Sequence, residues 1–229
     1  MDGEQRTALK RSHEGIPNSV IKRLPVYHRF LADLAQKEVE RVSSRELAVK
    51  IGINSSQLRQ DLSLFGSFGQ QGYGYRVLDL LKEVERILGL HNERTMALIG
   101  AGNIGRAIAN YQNFRRRGFT ITAIFDDNPK IIGEMINNVP VQDIREIDAI
   151  LSAQPAPVQI GILAIPATAA QTAADTLVRL GIKAIWNFAP VSLKVPSDVV
   201  IETVHIGESL MILSFKLQQA MLAENSTVE

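Results

Sequence analysis

Residues 96–127 hold the arrangement with the clearest chemical meaning. A short apolar run, Met96 to Ile99, enters Gly100-Ala101-Gly102-Asn103-Ile104-Gly105, after which Ile104, Ala107, Ile108 and Tyr111 recur at helical spacing. A second apolar run, Ile121 to Phe125, stops at Asp126-Asp127, so that Asp126 follows the last glycine by 21 residues. Strand, glycine turn, helix, strand and acid in that order form a dinucleotide-binding pattern. Gly100 permits the tight turn off the strand, Gly102 lacks the Cβ that would block a pyrophosphate, and Gly105 lets the helix lie close to the sheet. The free N–H groups and positive dipole end of that helix favour a phosphate. Asp126 would accept hydrogen bonds from an adenosine ribose and repel a 2′-phosphate, which favours NAD(H) over NADP(H).

A second set of residues suits nucleic acid. Ser43-Ser44-Arg45-Glu46 has capping-box spacing ahead of a short helix with Leu47, Ala48 and Ile51; Gly52 ends it, and Asn54-Ser55-Ser56-Gln57 opens another with Leu58, Leu62 and Phe65 inward. Two short capped helices around a glycine turn resemble a helix-turn-helix. Gly66 to Tyr75 then alternates glycine with aromatic residues, as a tight β-ribbon would. Helix, helix and ribbon in that order make a winged helix, with the second helix in the major groove and the wing, including Gln71 and Tyr73, on backbone or minor groove. The groove-facing side would present Ser55, Ser56, Arg59, Gln60 and Ser63, with Arg59 the candidate base reader. Lys22, Arg23, Arg29 and Arg45 are the candidate phosphate contacts.

These two sites need elements to position them. A helix from Asn18 carries Ile21, Leu24, Tyr27, Phe30, Leu31 and Leu34 inward, with Pro25 expected to shift its start or kink it. Val77 to Leu90, with Leu78, Leu81, Val84, Ile87 and Leu88 at helical spacing, reads as a helix joining two domains. Beyond the glycine loop, Val139-Pro140-Val141 predicts an edge strand, Val158 to Ile165 a buried parallel strand, Thr168 to Gln171 a capped helix start, and Lys183–Trp186 and Val199–Val204 the last strands. The βα alternation predicts a parallel sheet with helices on both faces. His205 to Ala223 is apolar on more than one side, as a helix packing on its own domain or on a second subunit would be.

Composition sets outer bounds. The 229 residues suffice for two domains. There is no cysteine, which excludes disulfides and thiolate metal sites and suits a reducing cytoplasm. The N-terminal residues are polar, no apolar run reaches membrane-spanning length, and no metal-ligand cluster is legible. Residues 1–80 hold 12 Lys+Arg against 9 Asp+Glu, and residues 81–229 hold 13 against 15, a mild bias of positive charge toward the predicted DNA-binding part.

With these residues assembled, the chain resembles the Rex family of redox-sensing transcriptional repressors over roughly Pro17 to Met221. The resemblance rests on RLPVYHRFL at 23–31, VSSRELA at 42–48, LRQDLSLFGSFG at 58–69, GYGY at 72–75, GAGNIGRAIANY at 100–111 and NFAPVSLKVP at 187–196. It implies an α/β fold: an N-terminal winged helix-turn-helix over 1–80, a Rossmann-type parallel-sheet domain binding NADH and NAD+ over 81–204, and a C-terminal helix over 205–229 swapped between the subunits of a homodimer. It further implies binding to an inverted-repeat operator when NADH is scarce and release when NADH rises. Carried across, Arg59 matches the recognition-helix arginine, with Ser56 and Gln57 flanking the groove-facing turn. Gly100 to Gly105 match the phosphate loop and Asp126 the ribose acid. Ile165-Pro166 and Asn187-Phe188-Ala189-Pro190 match segments beside the nicotinamide, and Tyr111 a tyrosine whose partner changes with redox state. The chain departs from some members at Gln60 and Gln71, where they carry lysine and arginine, and at His205, where the tyrosine's aspartate partner would stand.

The rival readings are an NAD-dependent oxidoreductase and a CoA- or nucleotide-binding accessory protein. An oxidoreductase needs an acid/base beside the nicotinamide. The four histidines are His13, His28, His91 and His205, of which three precede the glycine loop; no catalytic pair emerges. The winged-helix segment argues against both rivals.

Overall fold

The structure, a computed structural model, describes residues 16–66, 68 and 73–226. The chain divides after Asn92 into two compact units.

In the first unit, helix α1 (Asn18–Gln36) runs unbroken through Pro25 and buries Val20, Leu24, Tyr27, Leu31 and Leu34, a stripe at alternating three- and four-residue steps. Strand β1 (Arg41–Val42) leads to α2 (Ser44–Ile51). There the predicted capping box is present: Ser43 accepts from the Glu46 backbone while Glu46 accepts from that of Ser43. Gly52 ends α2 in the left-handed region at φ 81°. Helix α3 (Ser55–Ser63) starts with half a box only, because Asn54 accepts from the Gln57 backbone while the Gln57 side chain turns to Asp61.

Strand β2 (Tyr75–Arg76) pairs antiparallel with β1, Val42 opposite Tyr75, so this arm of the expected ribbon closes on the strand ahead of α2. The close approach explains Gly74: a Cβ there would stand 2.6 Å from the Val42 carbonyl oxygen. Helix α4 (Val77–Leu88) buries Val77, Leu80 and Val84 and turns Leu78 outward. It packs against α1 within one core, and this compact unit runs to Asn92, beyond the residue 80 of the sequence reading.

The second unit is a seven-stranded sheet built from β3 (Arg94–Ile99), β4 (Phe119–Asp126), β5 (Met135–Ile136), β6 (Val139–Asp143), β7 (Ile160–Leu163), β8 (Ala184–Asn187) and β9 (Val200–Thr203). The order is β5-β6-β4-β3-β7-β8-β9, and every pair is parallel except β5 with β6. The run 139–141, expected at an edge, is flanked on both sides; β5 takes the edge instead. Helices α5 (Asn103–Ala109), α6 (Asn113–Arg116), α7 (Ile147–Ser152) and α8 (Ala167–Arg179) intervene between strands. Two apolar clusters form on this sheet, one around Phe125, Leu163 and Leu177, the other around Leu98, Ile124 and Ile162. The predicted start of α8 at Thr168 is corrected to Ala167, with Pro166 in the N-cap position and no side-chain cap. The proline ring fixes φ at −59° as the chain enters the helix. Helix α9 (Glu208–Ser226) closes the described chain and groups with this unit.

Candidate functional site

Chain order reverses between β4 and β7, which flank β3 on opposite sides. At such a switch point the loops leaving the strands' carboxyl ends part and open a crevice. Here a cleft of about 780 Å³ lies at that point, lined among others by Gly100, Gly102, Asp126, Ile165 and Pro166.

Each glycine of the loop has a distinct physical reason. Gly100 sits at φ 97°, and a Cβ on it would lie 2.4 Å from the Ala164 carbonyl oxygen at the end of β7. A Cβ on Gly105 would lie 1.9 Å from the Gly100 carbonyl oxygen, so α5 can fold back on the turn only with glycine there. Gly102 faces open space, with no protein atom within 4 Å of the position its Cβ would take. Asn103 and Ile104 form the first turn of α5, whose N-cap is Gly102. Asp126, at the end of β4, accepts from the backbone N–H of Ala101 at 2.7 Å and of Asn128 at 2.9 Å. The carboxylate is thereby held across the mouth of the glycine loop. Ile131, Ile144 and Ile147 supply an apolar wall, and α8 supplies Thr172, Ala173 and Thr176. A phosphate-tolerant turn, an acid and a flat apolar wall in one cleft match what an adenine dinucleotide presents.

Other expected cofactor contacts lie elsewhere. Asn187 is fully buried, and its amide is spent on its own loop: Nδ2 donates to the carbonyls of Ala189 and Val191, and Oδ1 accepts from the Ala189 backbone. Ala189 is buried, Pro190 exposed, and none of residues 187–190 lines the cleft. Phe188 packs edge-on to Trp186, Trp186 edge-on to Phe114, and Phe114 edge-on to Tyr111. Tyr111 is 46% exposed and borders a separate hollow of about 500 Å³. Its hydroxyl accepts from Asn113 at 3.3 Å, while His205 faces Glu208 at 4.0 Å, so within one chain the two side chains have different neighbours.

On the first unit, Ser56, Arg59, Gln60 and Ser63 are exposed on α3, as expected, and Ser55 is half-buried. The Arg59 guanidinium donates to the Ser44 hydroxyl on α2 and the Ser56 hydroxyl on α3, both at 3.2 Å, which aims it along the seam between the two helices. Lys22, Arg29 and Arg45 are exposed, Arg29 lying 5.1 Å over the Phe30 ring. Tyr73 is exposed and its carbonyl accepts from Arg41. Gln71 lies outside the described residues.

Two side chains expected at the DNA face are engaged within this unit. Arg23, expected on phosphate, donates from Nε and Nη2 to the two oxygens of Asp61 at 2.6 and 2.9 Å. Gln57, expected beside the groove, gives its amide to Asp61 at 2.7 Å. Asp61 is only 1% exposed, and an ion so buried demands such partners. Burial raises its carboxyl, but the bonds from Arg23, Tyr27 and Gln57 together outweigh that and hold it below its ordinary value. Burial, then the bond to Asp61, pushes the Tyr27 hydroxyl above the usual tyrosine range. The signal for this network was present in the sequence: Asp61 falls between Leu58 and Leu62 on the inward stripe of α3.

Among the described residues no group of three or more His, Asp or Glu is placed to hold a metal ion, and no helix is long and apolar enough to cross a membrane.

Comparison with known proteins agrees with both halves. Residues 15–63 match the family model described as "Putative DNA-binding protein N-terminus", and residues 91–191 match that of the CoA binding domain. The redox-sensing transcriptional repressor Rex of Clostridium beijerinckii is 51% identical over 208 residues, covering 91% of this chain and 98% of its own. That of Clostridium acetobutylicum is 52% identical, covering 90% and 95%. Among solved structures, RSP, a Rex-family repressor, superposes with a TM-score of 0.85 at 46% identity, over 93% of this chain and 98% of its own. RSP solved with β-NAD+ and operator DNA gives 0.83 at 48% identity over the same shares, and RSP with β-NADH gives 0.84 at 45% over 92% and 98%.

Proposed function

Because this chain belongs to the Rex family of redox-sensing transcriptional repressors, we propose that it reads operator DNA through α3 and the nicotinamide redox state through the cleft at the end of β3. It is a DNA-binding repressor that holds its operator when NADH is low and leaves it when NADH rises, and not an oxidoreductase. The observation that carries the cofactor half is the Gly100–Gly102–Asp126 constellation at the sheet's switch point. Pyrophosphate would lie over Gly102, the adenosine ribose against Asp126, and the nicotinamide half toward Ile165 and Pro166. The DNA half has Arg59 on base edges, Ser56, Gln60 and Ser63 alongside it, and Lys22, Arg29 and Arg45 on phosphate.

A second copy of the chain is the partner that α9 calls for. Leu210, Met211, Leu213, Phe215 and Leu217 are each 59–67% exposed, more apolar surface than one helix leaves in water. A two-fold dimer then matches an inverted repeat of half-sites. Reading operator DNA supports a cytoplasmic location.

Cofactor and operator are thermodynamically linked. NADH displaces DNA only by binding the DNA-incompetent state more tightly, and operator weakens NADH by the same factor. Anisotropy of a labelled inverted-repeat duplex, titrated in parallel with NADH, NAD+ and NADPH at fixed salt, tests this. Release by NADH at concentrations where the other two leave the complex intact is the expected result. A complex indifferent to all three sinks the sensing role.

A further inference from the structure

We infer that Asp61 is a positioning residue for operator recognition, acting through Arg23 and Tyr27 of α1 to fix the rotation of α3 about its own axis. This rests on the operator reading proposed above. The Asp61 carboxylate receives four hydrogen bonds, two on each oxygen: Arg23 Nε and the Tyr27 hydroxyl on Oδ2, Arg23 Nη2 and Gln57 Nε2 on Oδ1. Arg23 and Tyr27 stand one turn apart on α1, so the three donor atoms from that helix meet the carboxylate as a planar fork and a second prong. All the acceptor sites of a carboxylate are filled.

Such a cluster is a poor way to gain stability, since well-packed apolar residues of the same volume often do as well or better. What it supplies is direction. Leu58 and Leu62 also bury against the same core, but apolar contacts tolerate a helix turning by several degrees, whereas a bidentate fork does not. Arg59 precedes Asp61 by two residues and so projects from the far side of α3, about 200° around the axis. The clamp grips the back of the helix and the reader points out of the front. A rotation of about 20° would carry a group some 6 Å from the axis through about 2 Å. That displacement exceeds what a bidentate contact to a guanine edge accepts.

The test compares the full-length protein with Asp61→Asn, Arg23→Lys and Tyr27→Phe, measuring affinity for an operator duplex and for a scrambled duplex of the same length across a salt series. Circular dichroism and NADH binding report that each variant is folded. Wild type binding the operator no better than the scrambled duplex overturns the operator reading and this inference with it. With wild-type discrimination in hand, Asp61→Asn and Arg23→Lys should lower operator affinity by about 30-fold while scrambled-duplex affinity and the salt slope change by less than about threefold. Tyr27→Phe retains the fork and should keep most of the discrimination. Should Asp61→Asn fail to fold, Arg23→Lys, which retains the charge and loses the fork, carries the decision. Folded variants that melt earlier yet discriminate like wild type reduce the cluster to a stability element and overturn the inference.

Discussion

The carboxylate of Asp126 and the backbone N–H of Ala101, 25 positions apart in sequence, are joined at 2.7 Å across the mouth of the glycine loop. The acid therefore braces the loop, and the proposed function gives it a second task, to accept hydrogen bonds from a ribose. Asp126→Ser should weaken NADH by about 10- to 100-fold, the span expected for hydrogen bonds to a charged group. It should also narrow the gap between NADH and NADPH. Titration calorimetry with both cofactors reads this directly; an unchanged NADH affinity would remove Asp126 from the ribose site.

Gly102 and Gly105 should separate stability from binding. A methyl at Gly105 meets the Gly100 carbonyl, so Gly105→Ala should destabilise the second unit by about 3 kcal/mol. At Gly102 a methyl meets no protein atom, so Gly102→Ala should leave denaturant unfolding unchanged. It should nonetheless weaken NADH at least about tenfold, roughly 1.4 kcal/mol, by intruding on the pyrophosphate. Loss of stability at Gly102, or of binding without loss of stability at Gly105, would contradict the assignment.

Arg59 is exposed and held by two serine hydroxyls on the surface. Arg59→Ala should cost operator affinity roughly 1–3 kcal/mol and relax preference at one base position, with the melting temperature unchanged. Binding equal to wild type across a panel of single-base operator variants would show that it does not read sequence.

The Asp61 cluster predicts a particular pH dependence. The folded pKa of Asp61 lies below its unfolded value near 3.8, so its contribution is fully present above that value and is lost as pH falls through the folded pKa. Tyr27 shifts the other way: its contribution is present below the usual tyrosine value near 10.0 and declines as pH rises beyond it. Urea unfolding of wild type should thus weaken at both extremes, and Asp61→Asn should flatten the acid limb. An acid limb identical in the two proteins would mean that other carboxylates set it.

Helix α9 makes the last prediction. Placing charge at Leu213 and Leu217, as Leu213→Glu with Leu217→Glu, should convert a dimer into a monomer in light scattering and abolish binding to paired half-sites. A dimer that survives both changes would locate the contact elsewhere.

What was legible in the sequence was what is encoded locally. The glycine loop, the acid that ends β4 and the Ser43–Glu46 box each depend on residues within a few positions or one βαβ unit, and each stands where its spacing put it. The pairing of Arg23 is not legible, because an exposed and a half-buried arginine look alike until the partner is known. Its partner, Asp61, is 38 positions away and is defined by the packing of α1 on α3. The Asn187 loop carries a recognisable motif, while the amide that distinguishes the motif is consumed in holding the turn. The true sheet edge is not legible, since two residues, Met135 and Ile136, give too short a run to register as a strand.

The edge-to-face ladder from Tyr111 through Phe114 and Trp186 to Phe188 has an optical consequence. Trp186 is the single tryptophan of the chain, and it sits next to the carboxyl end of β8, in the same sheet whose carboxyl strand ends line the proposed cofactor cleft. Indole emits in the band where dihydronicotinamide absorbs and oxidised nicotinamide does not. The protein thus carries its own donor fluorophore for energy transfer, and quenching of that one residue would report occupancy by the reduced form without any label.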